Sequence, residues 1–157
     1  MTPEQLIHVA REYGTPVYVY EAEKIKEQYG KLTRAFSACH ARFFYACKAL
    51  TNVNVLQYMR GLGAGLDCVS INEVKLGLLA GFEPPNILFT PNCVDLEEII
   101  QAKELGVHLN IDNISILEQF GNRFGGAYPV CIRLNPHIMA GGAARAACHC
   151  KHPCGRS

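Results

Sequence analysis

The sequence predicts an α/β protein of repeated strand–helix units around a parallel sheet, forming part of a (β/α)8 barrel. Three observations predict it. Apolar, strand-like runs at Phe43–Cys47, Leu66–Val69, Ile87–Phe89, Leu109–Ile111 and Val130–Leu134 alternate with helical patterns at Asn52–Met59, Asn72–Leu79, Leu96–Leu105 and Ile114–Phe120. The repeat is even, with Tyr45, Asp67, Phe89, Ile111 and Arg133 each 22 residues apart. The connections are far longer than hairpin turns, so successive strands are expected to pair in parallel through right-handed crossovers. The runs are nearly continuous in apolar residues, as expected where helices cover the sheet.

Two architectures use such units. An open doubly wound sheet normally carries a G-x-G-x-x-G turn between its first strand and helix. The glycine-rich Gly61-Leu62-Gly63-Ala64-Gly65 has different spacing and precedes a strand, so it reads as a helix stop and turn. The even repeat favours the barrel. A closed barrel needs eight strands and typically about 250 residues. The 157 residues hold about five strands, so a partial barrel is expected.

Each element has local signals. Thr2 is suited to cap a first helix, Pro3 sits where a missing N–H costs nothing, and Gln5 completes a capping box. Gly14 ends that helix, and Val17–Tyr20 reads as a short strand entered through Pro16. Residues 21–36 form a second helical pattern, with Ile25, Tyr29, Leu32 and Phe36 on one face. Ser70 through Glu73 reads as a capping box opening the helix after the second repeat strand.

Composition narrows the function classes. Apolar residues make up 49% and charged residues 18%, with a formal net charge of +1, which suits neither a disordered tail nor a nucleic-acid-binding arm. The N-terminus lacks the basic and apolar regions of a signal peptide, and no apolar run reaches the roughly 18 residues of a membrane span. Cys39, Cys47, Cys68, Cys93 and Cys131 lie scattered through apolar segments without paired spacing. They are expected to be reduced thiols of a cytoplasmic protein. No metal site is expected, and His8, His40, His108 and His137 lack ligand spacing.

Sites in such folds gather where strands end and βα loops begin. Lys48 is the only charge from Phe43 to Asn52. It reads either as a lysine snorkelling to solvent or as an amine in apolar surroundings. Desolvation would favour its neutral form, which condenses with aldehydes. Asp67 lies inside a short apolar strand and must find a partner or neutralise; a lysine on the neighbouring strand would serve. Arg133 is charged within an apolar run, so burial would demand an acid or a phosphate.

These blocks resemble a known family. Thr15-Pro16-Val17-Tyr18-Val19-Tyr20 is similar to its opening strand, and Phe44-Tyr45-Ala46-Cys47-Lys48-Ala49-Leu50 to its cofactor-lysine strand. Asp67, Ser70 and Glu73 match an Asp-x-x-Ser-x-x-Glu signature, and Arg133-Leu134-Asn135-Pro136 an Arg-x-Asn-Pro strand. The family is the pyridoxal-phosphate-dependent decarboxylases of the alanine racemase fold, and within it the diaminopimelate decarboxylase branch. The resemblance covers about residues 4–141. It implies pyridoxal 5'-phosphate as cofactor, with Lys48 its covalent anchor and Asp67 part of the charge network beside that lysine. Glu73 would be the family's glutamate on the following helix, and Arg133 the strand arginine near the cofactor. Lys48, Asp67 and Arg133 would thus be the catalytic set, and the same three with Glu73 the cofactor-binding set. The implied reaction is meso-diaminopimelate to L-lysine and CO2. The implied partner is a small-molecule amino acid, without nucleic acid or membrane, in an enzyme whose full-length members form homodimers. Alternatives are an ornithine/arginine-type or carboxynorspermidine decarboxylase of the same fold, or a non-catalytic pyridoxal-phosphate-binding protein.

Composition changes near Gly141. All 14 Asp and Glu precede it, whereas the following segment carries Arg145, Lys151 and Arg156 with Cys148, Cys150 and Cys154. Residues 1–141 are therefore expected to be the N-terminal part of the barrel. Residues 142–157 are expected to be an unstructured, out-of-frame tail. The family's remaining cofactor residues come later in its sequences, so the chain is expected to be truncated and inactive by itself.

Overall fold

The computed structural model describes residues 1–134. Asn135 and Pro136 of the arginine motif, His137 and the expected tail at 142–157 lie outside the described residues.

Two helices come first, α1 (Pro3–Tyr13) and α2 (Ala22–Ala35). The predicted capping box forms: Gln5 N–H donates to Thr2 Oγ1 at 3.3 Å, and Thr2 N–H donates to Gln5 Oε1 at 2.8 Å. Neither helix buries a residue. The strand expected at Val17–Tyr20 does not form. No strand edge pairs with it among the described residues, and Tyr18 stays 88% exposed.

The repeat then begins, with β1 (Phe44–Ala46), α3 (Val53–Gly61), β2 (Gly65–Cys68), α4 (Ile71–Leu79), β3 (Ile87–Phe89), α5 (Leu96–Glu104), β4 (His108–Ile111), α6 (Ile114–Phe124) and β5 (Val130–Ile132). Side chains start every repeat helix by accepting N–H groups of its first turn: Asn52, Ser70, Asp95 and Asn113. All pairings are parallel, and the sheet order β1-β2-β3-β4-β5 follows the chain. A doubly wound sheet would reverse direction at a switch point. This sheet does not, and it is the five-stranded arc of a (β/α)8 barrel.

Alternation along the strands separates two faces. Leu66, Cys68, Ile87, Phe89, Leu109 and Ile111 are at most 2% exposed, and they form one core with Leu56, Val74, Ile99, Ala102 and Phe120 of the helices. Each such Leu, Ile, Val or Phe contributes roughly 1.5–3 kcal/mol by leaving water. Helix α4 sits very close to β2. A Cβ on Gly77 would overlap Leu66 Cδ2 and lie 3.4 Å from Ile87 Cδ1. The other face carries Ala46, Asp67, Leu88 and Asn110, all half-buried. It corresponds to a barrel's interior.

Candidate functional site

The C-terminal ends of the strands hold the candidate residues. Lys48 lies in a short 3-10 turn, Cys47–Ala49, directly after β1. Ala46 is the register partner of Asp67, so Lys48 follows Asp67's level on the neighbouring strand by two positions. Lys48 is exposed. The desolvated amine weighed for it is absent here, because this side of the sheet is open at Lys48. Nor does Lys48 form an ion pair with Asp67 among the described residues. Asp67 Oδ1 is buried without a hydrogen-bond partner.

Arg133 follows β5, and its N–H donates to Ile111 O at 2.9 Å, which continues the parallel pairing. Alternation from Cys131 places it on the inner face with Asp67. It is exposed rather than buried, so the expected demand for an acceptor does not arise in this chain. Three strand steps separate it from Asp67.

Glu73 belongs to the opposite side. Ser70 caps α4 by accepting the Glu73 N–H at 3.3 Å, as predicted. The Glu73 carboxylate then accepts the Val69 N–H at 2.7 Å instead of that of Ser70, so the capping box is shifted by one residue. This ties the end of β2 to the start of α4. Cys47 Sγ, Cys68 Sγ and a Glu73 carboxylate oxygen all lie within 4.8 Å of one another. The two thiols face the helices and are fully buried. Burial, then the Glu73 charge, pushes the Cys47 thiol up to about 11. Burial and the adjacent Cys47 push Cys68 up as well.

Sequence reasoning missed two residues. Thr90 follows β3, with its N–H donating to Cys68 O at 2.7 Å, and Asn110 lies in β4. Thr90 Oγ1 and Asn110 Oδ1 are buried without hydrogen-bond partners, like Asp67 Oδ1. The signal that singled out Asp67, a polar side chain in an apolar strand run, is also present at Asn110. Only charged residues had been weighed by it. A cavity of about 450 Å³ opens at the opposite end of the sheet, lined by Tyr29, Phe36, Arg42, Arg60, Gly65 and Glu83 among others. The strand-end residues do not line it.

Comparisons with known proteins identify the family. Residues 22–151 match the family described as pyridoxal-dependent decarboxylase, pyridoxal binding domain. The diaminopimelate decarboxylase of Methanothermobacter thermautotrophicus is 41% identical over 137 residues, 86% of this chain and 32% of that protein. The Campylobacter jejuni diaminopimelate decarboxylase is 36% identical over 134 residues, 83% of this chain and 33% of that protein. Among solved structures, Helicobacter pylori diaminopimelate decarboxylase complexed with L-lysine superposes with a TM-score of 0.74 at 32% identity, over 87% of this chain and 35% of that one. The chain thus spans about a third of the length of the curated relatives it matches. A sequence match of this extent makes the chain a member of the pyridoxal-dependent decarboxylases, with the matched residues lying in their pyridoxal-binding domain.

Proposed function

We propose that this chain serves the decarboxylation of meso-diaminopimelate to L-lysine and CO2, with Lys48 as the residue that holds pyridoxal phosphate. The observation that carries the reading is the primary amine of Lys48 one strand from the buried, unpartnered Asp67 Oδ1. That donor set fits an aldehyde-bearing cofactor: an amine for its carbonyl carbon, and a carboxylate beside that amine to hold it when it is protonated. The names of the relatives, and the L-lysine held by one of them, support the substrate.

Pyridoxal phosphate supplies an electron sink for the pair left behind when a carboxylate departs as CO2. The protein's part is to bind, orient and move protons. Lys48 Nζ would hold the cofactor and, as a free amine, would carry a proton to or from the reacting carbon. Asp67 Oδ1 would accept a hydrogen bond from the Lys48 ammonium and keep it close. Arg133, permanently cationic, offers its guanidinium to an anionic group on the same face. Glu73 acts at one remove: by fixing the Val69 N–H it sets the path of the chain that follows Asp67. The same reading carries a cytoplasmic, homodimeric enzyme acting on a small amino acid rather than on nucleic acid or membrane, supported by family membership alone. Among the described residues no helix is long and apolar enough to cross a membrane.

Trapping tests the lysine. The chain is incubated with pyridoxal phosphate, reduced with borohydride and mapped by peptide mass. The label is expected on Lys48 and is expected to vanish in Lys48→Ala. A label spread evenly over the lysines, or unchanged in that variant, refutes the assignment.

A further inference from the structure

Asp67 Oδ1, Thr90 Oγ1 and Asn110 Oδ1 are the buried side-chain oxygens without a hydrogen-bond partner among the described residues. They do not lie at random. They come from three consecutive strands or strand ends, β2, β3 and β4. Leu88 pairs with both Asp67 and His108, so Thr90 and Asn110 lie level with one another, two positions beyond Asp67. Alternation puts all three on the inner face, at the C-terminal end of the sheet. Lys48 follows β1 on one flank, and Arg133 follows β5 on the other. Neighbouring strands are about 4.8 Å apart, so each cation is one strand step from an end of the row.

Folded chains seldom leave buried acceptors unpaired, because each one costs stability. Three on one face, from three consecutive strands at the functional end of a barrel, point to a surface built to receive donors from something other than the sheet itself. We propose that Thr90 and Asn110 are positioning residues of the pyridoxal site. With Asp67 they form one acceptor row that draws the Lys48 ammonium and the Arg133 guanidinium onto the inner face, where the cofactor is held. Lys48 reaches the Asp67 end, Arg133 reaches the Asn110 end, and the Thr90 hydroxyl, donor as well as acceptor, links the two. The proposal rests on the reading of Lys48 given above.

The test uses the chain itself with pyridoxal phosphate as probe, and compares Thr90→Val, Asn110→Leu and Thr90→Ser with the unaltered sequence. Two quantities are measured: the dissociation constant for pyridoxal phosphate, with borohydride trapping at Lys48, and the melting temperature without ligand. Thr90→Val and Asn110→Leu each remove an unpaired acceptor while keeping most of the volume. Each is expected to weaken binding about tenfold, the usual scale for losing one hydrogen bond to a charged group, and to raise the melting temperature. Thr90→Ser keeps the hydroxyl and is expected to bind within twofold of the unaltered chain. A merely structural role predicts lower melting temperatures and unchanged affinity, and that result overturns the proposal. So does binding within twofold in both apolar variants while trapping at Lys48 persists. If the unaltered chain traps no label at Lys48, the lysine reading falls first and the row falls with it.

Discussion

The close approach of α4 to β2 gives one substitution opposite outcomes at two glycines. Gly77 lies inside α4 and Gly121 inside α6. Replacing glycine by alanine in a helix interior gains about 0.8–1 kcal/mol, because the chain loses less backbone freedom on folding. Nothing lies within 4 Å of a Cβ built on Gly121, so there the gain stands alone. At Gly77 the new methyl overlaps Leu66 Cδ2, and Leu66 is 0% exposed with α4 directly above it. Overpacking of this kind costs roughly 1–3 kcal/mol, which cancels the propensity gain and leaves a net loss of about 1 kcal/mol. With a urea m-value of about 2 kcal/mol/M, Gly121→Ala should raise the unfolding midpoint by about 0.5 M and Gly77→Ala should lower it by about as much. Urea titration followed by circular dichroism measures both. An upward shift for Gly77→Ala like that of Gly121→Ala would refute the close approach of α4 to β2.

Two further outcomes follow from the ionisable groups. Lys31 and then Lys24 hydrogen-bond the Glu27 carboxylate and hold it down to about 2, against an ordinary 4.5. Its contribution to stability is therefore fully present above pH 4.5 and is lost as pH falls from there through about 2. Carbon-13 NMR should show Glu27 titrating near 2 in the intact chain and nearer its ordinary value in Lys31→Ala. Among the five thiols of the described residues, Cys39, Cys93 and Cys131 are exposed, while Cys47 and Cys68 are buried and held protonated. A brief iodoacetamide pulse at pH 8 should mark the first three, and should reach Cys47 and Cys68 only after urea is added. Equal labelling of all five would mean that the helix-facing core is not formed.

Much of the fold was legible because helix starts and apolar runs are local. Thr2 and Ser70 each announce a helix by chemistry confined to three or four residues. The even repeat revealed the strand–helix units, but it could not reveal which way a side chain points. Register advances by 20 or 21 residues from strand to strand, as in Phe44 to Gly65 and Leu88 to His108. The 22-residue ladder therefore mixes faces. Phe89 and Ile111 pack under the helices, whereas Asp67 and Arg133 lie on the inner side. For the same reason the site was only half legible. An acid such as Asp67 stands out in an apolar run, whereas Thr90 and Asn110 acquire meaning only once pairing sets them on the same face as it. Val17–Tyr20 has the composition of a strand, but a strand also needs a neighbour, and composition does not supply one.

The sheet order has a kinetic consequence. Because β1 to β5 are arranged as they occur in the chain, every strand pairing closes a loop of only about twenty residues, and none waits for a distant segment. Loop-closure entropy grows with length, so pairings about twenty residues apart cost less of it than pairings between distant segments would. Each strand–helix unit can dock on the one before it as soon as it has left the ribosome, so the sheet is able to assemble in the direction of synthesis, starting from β1, the strand that leads into Lys48.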